Sequence, residues 1–496
     1  MAWVDHGPVE PGRALAEARI AILGAGVTGT AVKRALVAHG VGSRVEILAP
    51  SGGDAVVSDD DAALARWLGG FDVLVASPGV PPHDRVLVAA AAAGLPIWSE
   101  PELAWRLRVA NPQTGEPAPW LAVTGTNGKT TTVEMLASIL AAAGLRTRAV
   151  GNVGTPLIEA ALDPALDVLA IELSSFQLHF THTMAAQASA MLNLADDHLD
   201  WHGTMENYGN DKGRIFENAV LACVYNAADP ITERQVREAE VEEGARAVGF
   251  TLGAPGPGML GLIEDVLVDR AFHAPAHAAD RRTHAAELGT LADLAQLAPS
   301  GGEAGSVAGV PPHVVANALA AAALARAHGV PARAVRDGLR AYRPAGHRIQ
   351  QVALVDAVSY VNDSKATNAH AASASLAGFP AGSVVWIAGG LAKGASFDAL
   401  VAERADRLRA AVVIGVEPEP FTGPLARHAA DVPVVAIDPG DTGTVMRRAV
   451  DAARSLAQPG DTVLLAPAGA SQDQFRSYAQ RGEAFADAVR EIAGDA

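Results

Sequence analysis

The stretch Gly125-Thr126-Asn127-Gly128-Lys129-Thr130-Thr131 restricts this chain more than any other. Before it runs an apolar, β-prone segment, residues 120–124, that reads as a buried strand; after it, residues 132–137 begin a helical pattern. Strand, glycine loop and helix is the geometry that binds phosphate. Glycines let backbone N–H groups turn inward, and the helix N-terminus adds partial positive charge. A loop lysine reaches β/γ-phosphates and the Thr130 hydroxyl can sit on Mg²⁺. The common pattern G-x-x-x-x-G-K-[ST] is incomplete here, because Val123 stands where its first glycine belongs. The competing reading is a tight turn with a solvated lysine.

A chain of 496 residues is too long for one core, and about three domains are expected. A net charge of −17 argues against nucleic acid, since affinity for a phosphate backbone rests on lysine and arginine. It leaves room for small anions at a locally positive site. A single cysteine, Cys223, excludes an internal disulfide and any multi-cysteine metal site, and fits a reducing cytoplasm. The first residues lack a basic stretch followed by an apolar one, and the alanine-rich segments are too short for a membrane helix. A cytoplasmic monomer without membrane or nucleic-acid partners is expected.

The chain opens with a strand over 19–23, the sequence Gly24-Ala25-Gly26-Val27-Thr28-Gly29, a helix to about residue 39 and a strand over 44–48. This is Rossmann-like. A dinucleotide site needs an acid at the end of the second strand, where Ala49-Pro50 stands instead, so NAD is disfavoured. Another nucleotide or a plain tight turn remains. A third strand, 72–76, ends at Ser77-Pro78-Gly79-Val80, and Ser99-Glu100-Pro101-Glu102 reads as a capped helix start. The proline-rich segment 109–119 marks a first boundary.

Beyond the phosphate loop, a strand over 168–171 ends at Glu172, the usual place for a Mg²⁺ carboxylate, against the alternative of a surface glutamate. A strand over 190–194 leads to Asp196-Asp197-His198-Leu199-Asp200-Trp201-His202-Gly203, a set that could ligate metal or simply be a solvated loop. Lys212, in a helical stretch over 205–218, reads by itself as an ordinary exposed lysine. Residues 253–309 read as a variable loop region, and 312–328 as an amphipathic helix containing Asn317. A second boundary falls at 343–348. The third domain alternates helices with strands at 352–360, 384–388, 411–414, 434–437 and 463–465. Its loops after strands, 362–368, 389–394 and 466–471, lie where an open α/β sheet forms its ligand crevice. The expected division is 1–112, 113–344 and 345–496.

Taken together, TGTNGKTT, GNVG, ELSSFQL, DDHLDWHG, NDSKATN and APAGASQDQF resemble the ATP-dependent Mur ligases over nearly the whole chain, 253–309 excepted. The resemblance implies an α/β fold of three domains: Rossmann-like, central P-loop-type ATPase and Rossmann-like. ELSSFQL and NDSKATN are similar to the members that add D-glutamate to UDP-N-acetylmuramoyl-L-alanine through an acyl phosphate. It further implies that Gly125 to Thr131, Asn152, Asn317, Arg348, Asp363 and Lys365 bind ATP. Thr130, Glu172, His198 and a carbamylated Lys212 would hold two Mg²⁺ ions, with Lys129, His198 and Lys212 catalytic. Val27, Thr28, Ser77, Ser174, Thr367, Lys393, Ser471 and Tyr478 would bind the two other substrates. Three positions depart from the family's pattern: Ala49-Pro50 replaces an acid, Val314 an asparagine, and Tyr478 a phenylalanine. Alternatives are a different Mur-type or folylpolyglutamate-type ligase, a nucleotide-binding regulator without catalysis, and an NAD enzyme.

Overall fold

The structure is a computed structural model that describes residues 14–152, 154–274, 283–297, 310–344, 346 and 349–494. Three largely parallel sheets carry the chain. In the first, Arg19–Leu23 (β1), Arg44–Leu48 (β2), Val73–Ala76 (β3) and Ile97–Trp98 (β4) lie in the order β2-β1-β3-β4. The chain switches direction across the sheet between β1 and β3, so the glycine loop after β1 and Ser77 after β3 meet at one edge.

The second sheet holds Trp120–Thr124 (β5), Thr147–Gly151 (β6), Val168–Glu172 (β7), Ala188–Met191 (β8), Ala222–Asn226 (β9), Arg246–Phe250 (β10), Met259–Ile263 (β11), Val266–Asp269 (β12) and Ala286–Thr290 (β13). Its order is β13-β12-β11-β10-β9-β8-β5-β7-β6. β5 is buried along its whole length between β7 and β8, as its unbroken apolar run requires. The segment expected to be loop, 253–309, instead supplies β11, β12 and β13, which extend this sheet with two antiparallel pairings. Glycines at 261 and 289 interrupt the period-two pattern by which such short strands are recognised. The strand expected over 190–194 is Ala188–Met191, because the chain leaves the sheet to bring Asn193 onto the phosphate loop. The helix Pro312–Ala327 is not amphipathic: Ala318 through Ala325 are all buried, and its alanines allow close packing on every side.

The third sheet consists of Gln350–Val355 (β14), Val358–Asn362 (β15), Val384–Gly389 (β16), Leu408–Ile414 (β17), Val434–Ala436 (β18) and Thr462–Ala468 (β19), ordered β14-β15-β19-β16-β17-β18. The single strand expected over 352–360 is an antiparallel hairpin, turned at Asp356 and Ala357, both with positive φ. Neither residue is a glycine, so the turn has no compositional mark. Along β16, Val385 and Ile387 enter one apolar cluster and Val384, Trp386 and Ala388 the other, so both faces of the sheet are covered.

The chain forms two compact units, the described parts of Met1–Thr290 with Ala316–Tyr342, and of Leu291–Val315 with Arg343–Ala496. The first unit contains the first two sheets, joined by one apolar cluster that runs from Ile20 through Trp105 and Trp120 to Ile171. The helix Glu100–Arg106 is the connector. Ser99 caps it, and Glu100 to Trp105 are buried. Glu102 accepts from the backbone of His182 and Thr183, the Thr183 hydroxyl and Arg106.

Its neighbour Glu100 accepts from the Ile158 backbone at 3.0 Å. Burial pushes the Glu100 carboxyl up to about 7, against the opposing backbone N–H groups of Ile158 and Leu157. A carboxyl that binds its proton more tightly in the folded chain weakens folding as the pH rises from 4.5 to about 7, and no further above that. Glu100→Gln is therefore expected to match the native chain in urea midpoint near pH 5 and to exceed it near pH 8, by roughly 1–3 kcal/mol. The same pH response in both proteins would refute this.

Candidate active site

The phosphate loop leaves β5 and enters the helix Lys129–Ala142. Gly128, the residue before the helix, has φ +83°, and a side chain there would collide with the amide of Asn317, so glycine is required. Asn193 clamps the loop from the β8 side. Its Oδ1 accepts from Asn127 N at 2.9 Å, its Nδ2 donates to Asn127 O at 3.1 Å, and its carbonyl accepts from Thr126 N at 3.0 Å. The Thr126 hydroxyl lies 3.2 Å from Tyr208 Oη. Thr130 is buried in the first helical turn and Thr131 half-buried beside it.

Two lysines converge on one oxygen. Lys129 Nζ donates to Gly125 O at 2.8 Å and Thr126 O at 2.9 Å, and Lys212 Nζ donates to the same Gly125 O at 3.0 Å. Lys212, expected to be an ordinary exposed residue, is 2% exposed and lies 4.6 Å from the Tyr208 ring centre. The helix Met205–Gly213 packs with this face inward, which its mixed polar sequence did not reveal. Burial lowers the pKa of both amines. For Lys212 the drop is well below the ordinary lysine value, with the Lys129 charge as the next cause. Glu172 and Asp197 act in the opposite sense on both.

Glu172 ends β7 and is 2% exposed. Its Oε1 accepts from Asn152 Nδ2 at 3.0 Å, while Oε2 is buried without a hydrogen-bond partner among the described residues. An anionic oxygen left in this state beside a phosphate loop suits a hard cation such as Mg²⁺. Among the described residues no three His, Cys, Asp or Glu side chains group as metal ligands, so any cation here takes ligands from a phosphate, a hydroxyl or water as well. His198 stands at the N-cap of the helix Leu199–His202 with φ +54°. Its ring packs edge-on against Phe176 at 4.8 Å. Ser174 caps the helix Ser175–His179 in a reciprocal pairing with Gln177.

In the first sheet, Val27 begins the helix Val27–His39 and is 82% exposed, with Thr28 half-buried behind it. Gly24 has φ +103°, and a Cβ there would lie 2.7 Å from Ser77 Oγ. That hydroxyl is itself buried without a hydrogen-bond partner among the described residues. A shallow glycine edge with an unsatisfied hydroxyl can take a polar ligand.

In the second unit, Asp363 N donates to Leu465 O at 2.8 Å, and its carboxylate accepts from Ser375 Oγ. Lys365 Nζ lies 5.3 Å from the Tyr478 ring centre, and Thr367 is half-buried in the same loop. Lys393 is exposed, with φ +48°, and Ser471 is buried. Arg481, which the sequence did not mark, ties two of these loops together. It is 1% exposed and donates to Ser364 Oγ at 3.1 Å, Ser364 O at 3.0 Å and Gly469 O at 3.0 Å. Burial lowers its pKa to about 10. Asn193, Tyr208 and Arg481 are the residues missed, and none sits in a recognisable motif. Arg348 lies outside the described residues.

Two family models match the chain: the Mur ligase middle domain over residues 123–325, and the Mur ligase glutamate ligase domain over 347–469. The chain is 54% identical over 487 residues to the UDP-N-acetylmuramoylalanine–D-glutamate ligase of Streptomyces coelicolor, an alignment covering 95% of this chain and 98% of that one. Among solved structures, the UDP-N-acetylmuramate-alanine ligase MurC of Thermotoga maritima is similar with TM-score 0.54 and 17% identity, covering 96% of this chain and 100% of that one. The MurF ligase of Thermotoga maritima in complex with ADP has TM-score 0.51 at 17% identity, covering 86% and 90%. At these identities the two solved structures show a shared fold.

Lys129 is the lysine of the phosphate loop, and its removal leaves charge on a bound phosphate uncompensated. Lys129→Ala is expected to lower ATP-dependent turnover at least about a hundredfold while the circular dichroism spectrum is preserved. Near-native turnover in the purified variant would refute the phosphate-loop assignment.

Proposed function

The chain belongs to the Mur ligase family, and within it we propose that it joins D-glutamate to UDP-N-acetylmuramoyl-L-alanine at the expense of ATP, in the supply of peptidoglycan precursor. The observation that carries this is the buried set Lys129, Lys212 and Glu172 at the phosphate loop, in a chain alignable end to end with a ligase of that name. The γ-phosphoryl group of ATP passes to the alanyl carboxylate, giving ADP and an acyl phosphate. The D-glutamate amine then attacks the carbonyl carbon, the C–O bond to phosphate breaks, and inorganic phosphate and a proton leave. Phosphoryl transfer of this kind depends on positioning and charge neutralisation.

The residues divide the work by position. Gly125 to Thr131, Asn152 and Asn317 cradle the nucleotide, with Arg348, Asp363 and Lys365 completing its site. Lys129 and Thr130 hold the phosphates. Bound Mg²⁺, in two sites, would polarise the acyl and γ-phosphoryl oxygens. Glu172 and Thr130 would hold one ion, His198 and a carbamylated Lys212 the other. Val27, Thr28 and Ser77 receive the uridine nucleotide, Ser174 lines the cleft, and Thr367, Lys393, Ser471 and Tyr478 take D-glutamate. The division of labour is by segment, 1–112 for the nucleotide sugar, 113–344 for ATP and 345–496 for the amino acid, in a cytoplasmic monomer. No helix among the described residues is long and apolar enough to cross a membrane.

Carbamylation follows from the state of Lys212. CO₂ reacts with a neutral amine, and burial together with the Lys129 charge favours that form. The product carries oxygen donors that suit Mg²⁺, which an ammonium would repel. Lys212→Ala is expected to be nearly inactive and partly restored by added acetate. Full activity in the variant, or an unmodified lysine by mass in the active enzyme, would overturn the carbamate.

Specificity is tested by phosphate release with UDP-N-acetylmuramoyl-L-alanine and ATP across a panel of amino acids. Strong preference for D-glutamate over L-glutamate and diaminopimelate is expected. Equal or better use of diaminopimelate would move the chain to another amide ligase of the same family.

A further inference from the structure

One buried polar network is not used by the assignments above. Asp211 directly precedes Lys212 on the helix Met205–Gly213. Its Oδ1 meets His179 Nδ1 at 2.8 Å and its Oδ2 meets His202 Nδ1 at 2.8 Å. A carboxylate only accepts, so both Nδ1 atoms carry protons and both ring orientations are set. The far side of the His202 ring, Nε2, lies 2.9 Å from Ser175 Oγ. His202 is thus held at both ends, and its side chain is wholly buried.

The ring so held is the hub of an aromatic layer. It stacks on Phe176 at 5.5 Å with an interplanar angle of 8°, and contacts Trp201 at 4.3 Å and Tyr208 at 5.0 Å. His198 rests on two members of that layer, Phe176 at 4.8 Å and Tyr208 at 6.3 Å. Tyr208 in turn lies under Lys212 Nζ and beside the Thr126 hydroxyl. Rotation of His202 would displace the rings that seat both His198 and Lys212.

We propose that Asp211 is a positioning residue: through His202 and the Phe176–Tyr208 layer it fixes His198 and Lys212 as a preformed seat for the divalent cation that accompanies the nucleotide. The proposal rests on the ligase reading of the same site. Partners that orient metal-binding side chains, when removed, typically weaken metal affinity by about ten- to a hundredfold. A residue that merely holds the helix in place would lower stability without that selective effect.

The test is calorimetric titration of the native chain with ADP, with and without Mg²⁺. Asp211→Ala is expected to weaken the Mg²⁺-dependent part of ADP binding about tenfold or more. Its KM for D-glutamate should remain within about twofold of native, because Asp211 contacts none of the residues assigned to that substrate. Asp211→Asn, which keeps the shape and one acceptor, should fall between. A thermal midpoint lowered in Asp211→Ala with Mg²⁺-dependent binding within about twofold of native would overturn the proposal. If Asp211→Ala does not fold, His202→Phe keeps a ring but neither hydrogen bond. It should weaken the same binding several-fold, and unchanged binding there would equally overturn the proposal. Absence of D-glutamate-dependent phosphate release by the native chain would instead refute the ligase reading. Native Mg²⁺-dependent ADP binding that ignores Asp211 and His202 would refute the positioning role alone.

Discussion

The Gly125 carbonyl is the constraint on which the rest of the site depends. It accepts from two buried amines at once, Lys129 and Lys212. Two like charges removed from water around one oxygen are unfavourable unless an anion joins them or one amine gives up its proton. Both remedies fit what the surroundings offer. The loop presents backbone N–H groups and a helix N-terminus to an incoming phosphate. Glu172 and Asp197 bring negative charge near without forming a direct ion pair with either lysine among the described residues. The site is therefore destabilised as a free cluster and relieved by ligand, which is the usual relation between a preorganised centre and its substrate.

That arrangement needs a rigid frame, and the frame comes from strand order. β5 lies between β7 and β8, so the residues following three adjacent strands reach one place: the phosphate loop, Glu172 at the end of β7 and Asn193 beyond β8. The second unit repeats the principle by another route. There β15, β19 and β16 are neighbours, and the single buried guanidinium of Arg481 bridges the loops that follow the first two. A planar donor with a fixed fork holds two loops in register more firmly than a lysine would.

Unequal parts of this were legible beforehand. The glycine loop, the capped start at Ser99 and the parallel strands with unbroken apolar runs follow from local chemistry, and they appear where expected. Segment 253–309 did not, since its strands are short, interrupted by glycine and paired at the sheet edge. The hairpin at Asp356-Ala357 was hidden because its turn uses none of the residues that mark such turns.

What the sequence determined by itself was the inventory and its local geometry: a strand, a loop that only glycines permit, a helix, and acids placed at strand ends. These depend on contacts within a few residues, where residue type and spacing carry the physics. What only the tertiary structure decided was environment. Lys212 reads as a surface lysine, yet 87 residues of chain return it to the Gly125 carbonyl, and burial there changes its chemistry. Asp211, His202 and Ser175 have no motif, and become a network because separate elements pack together. Burial and long-range hydrogen bonding are properties of packed surfaces, and no local pattern encodes them.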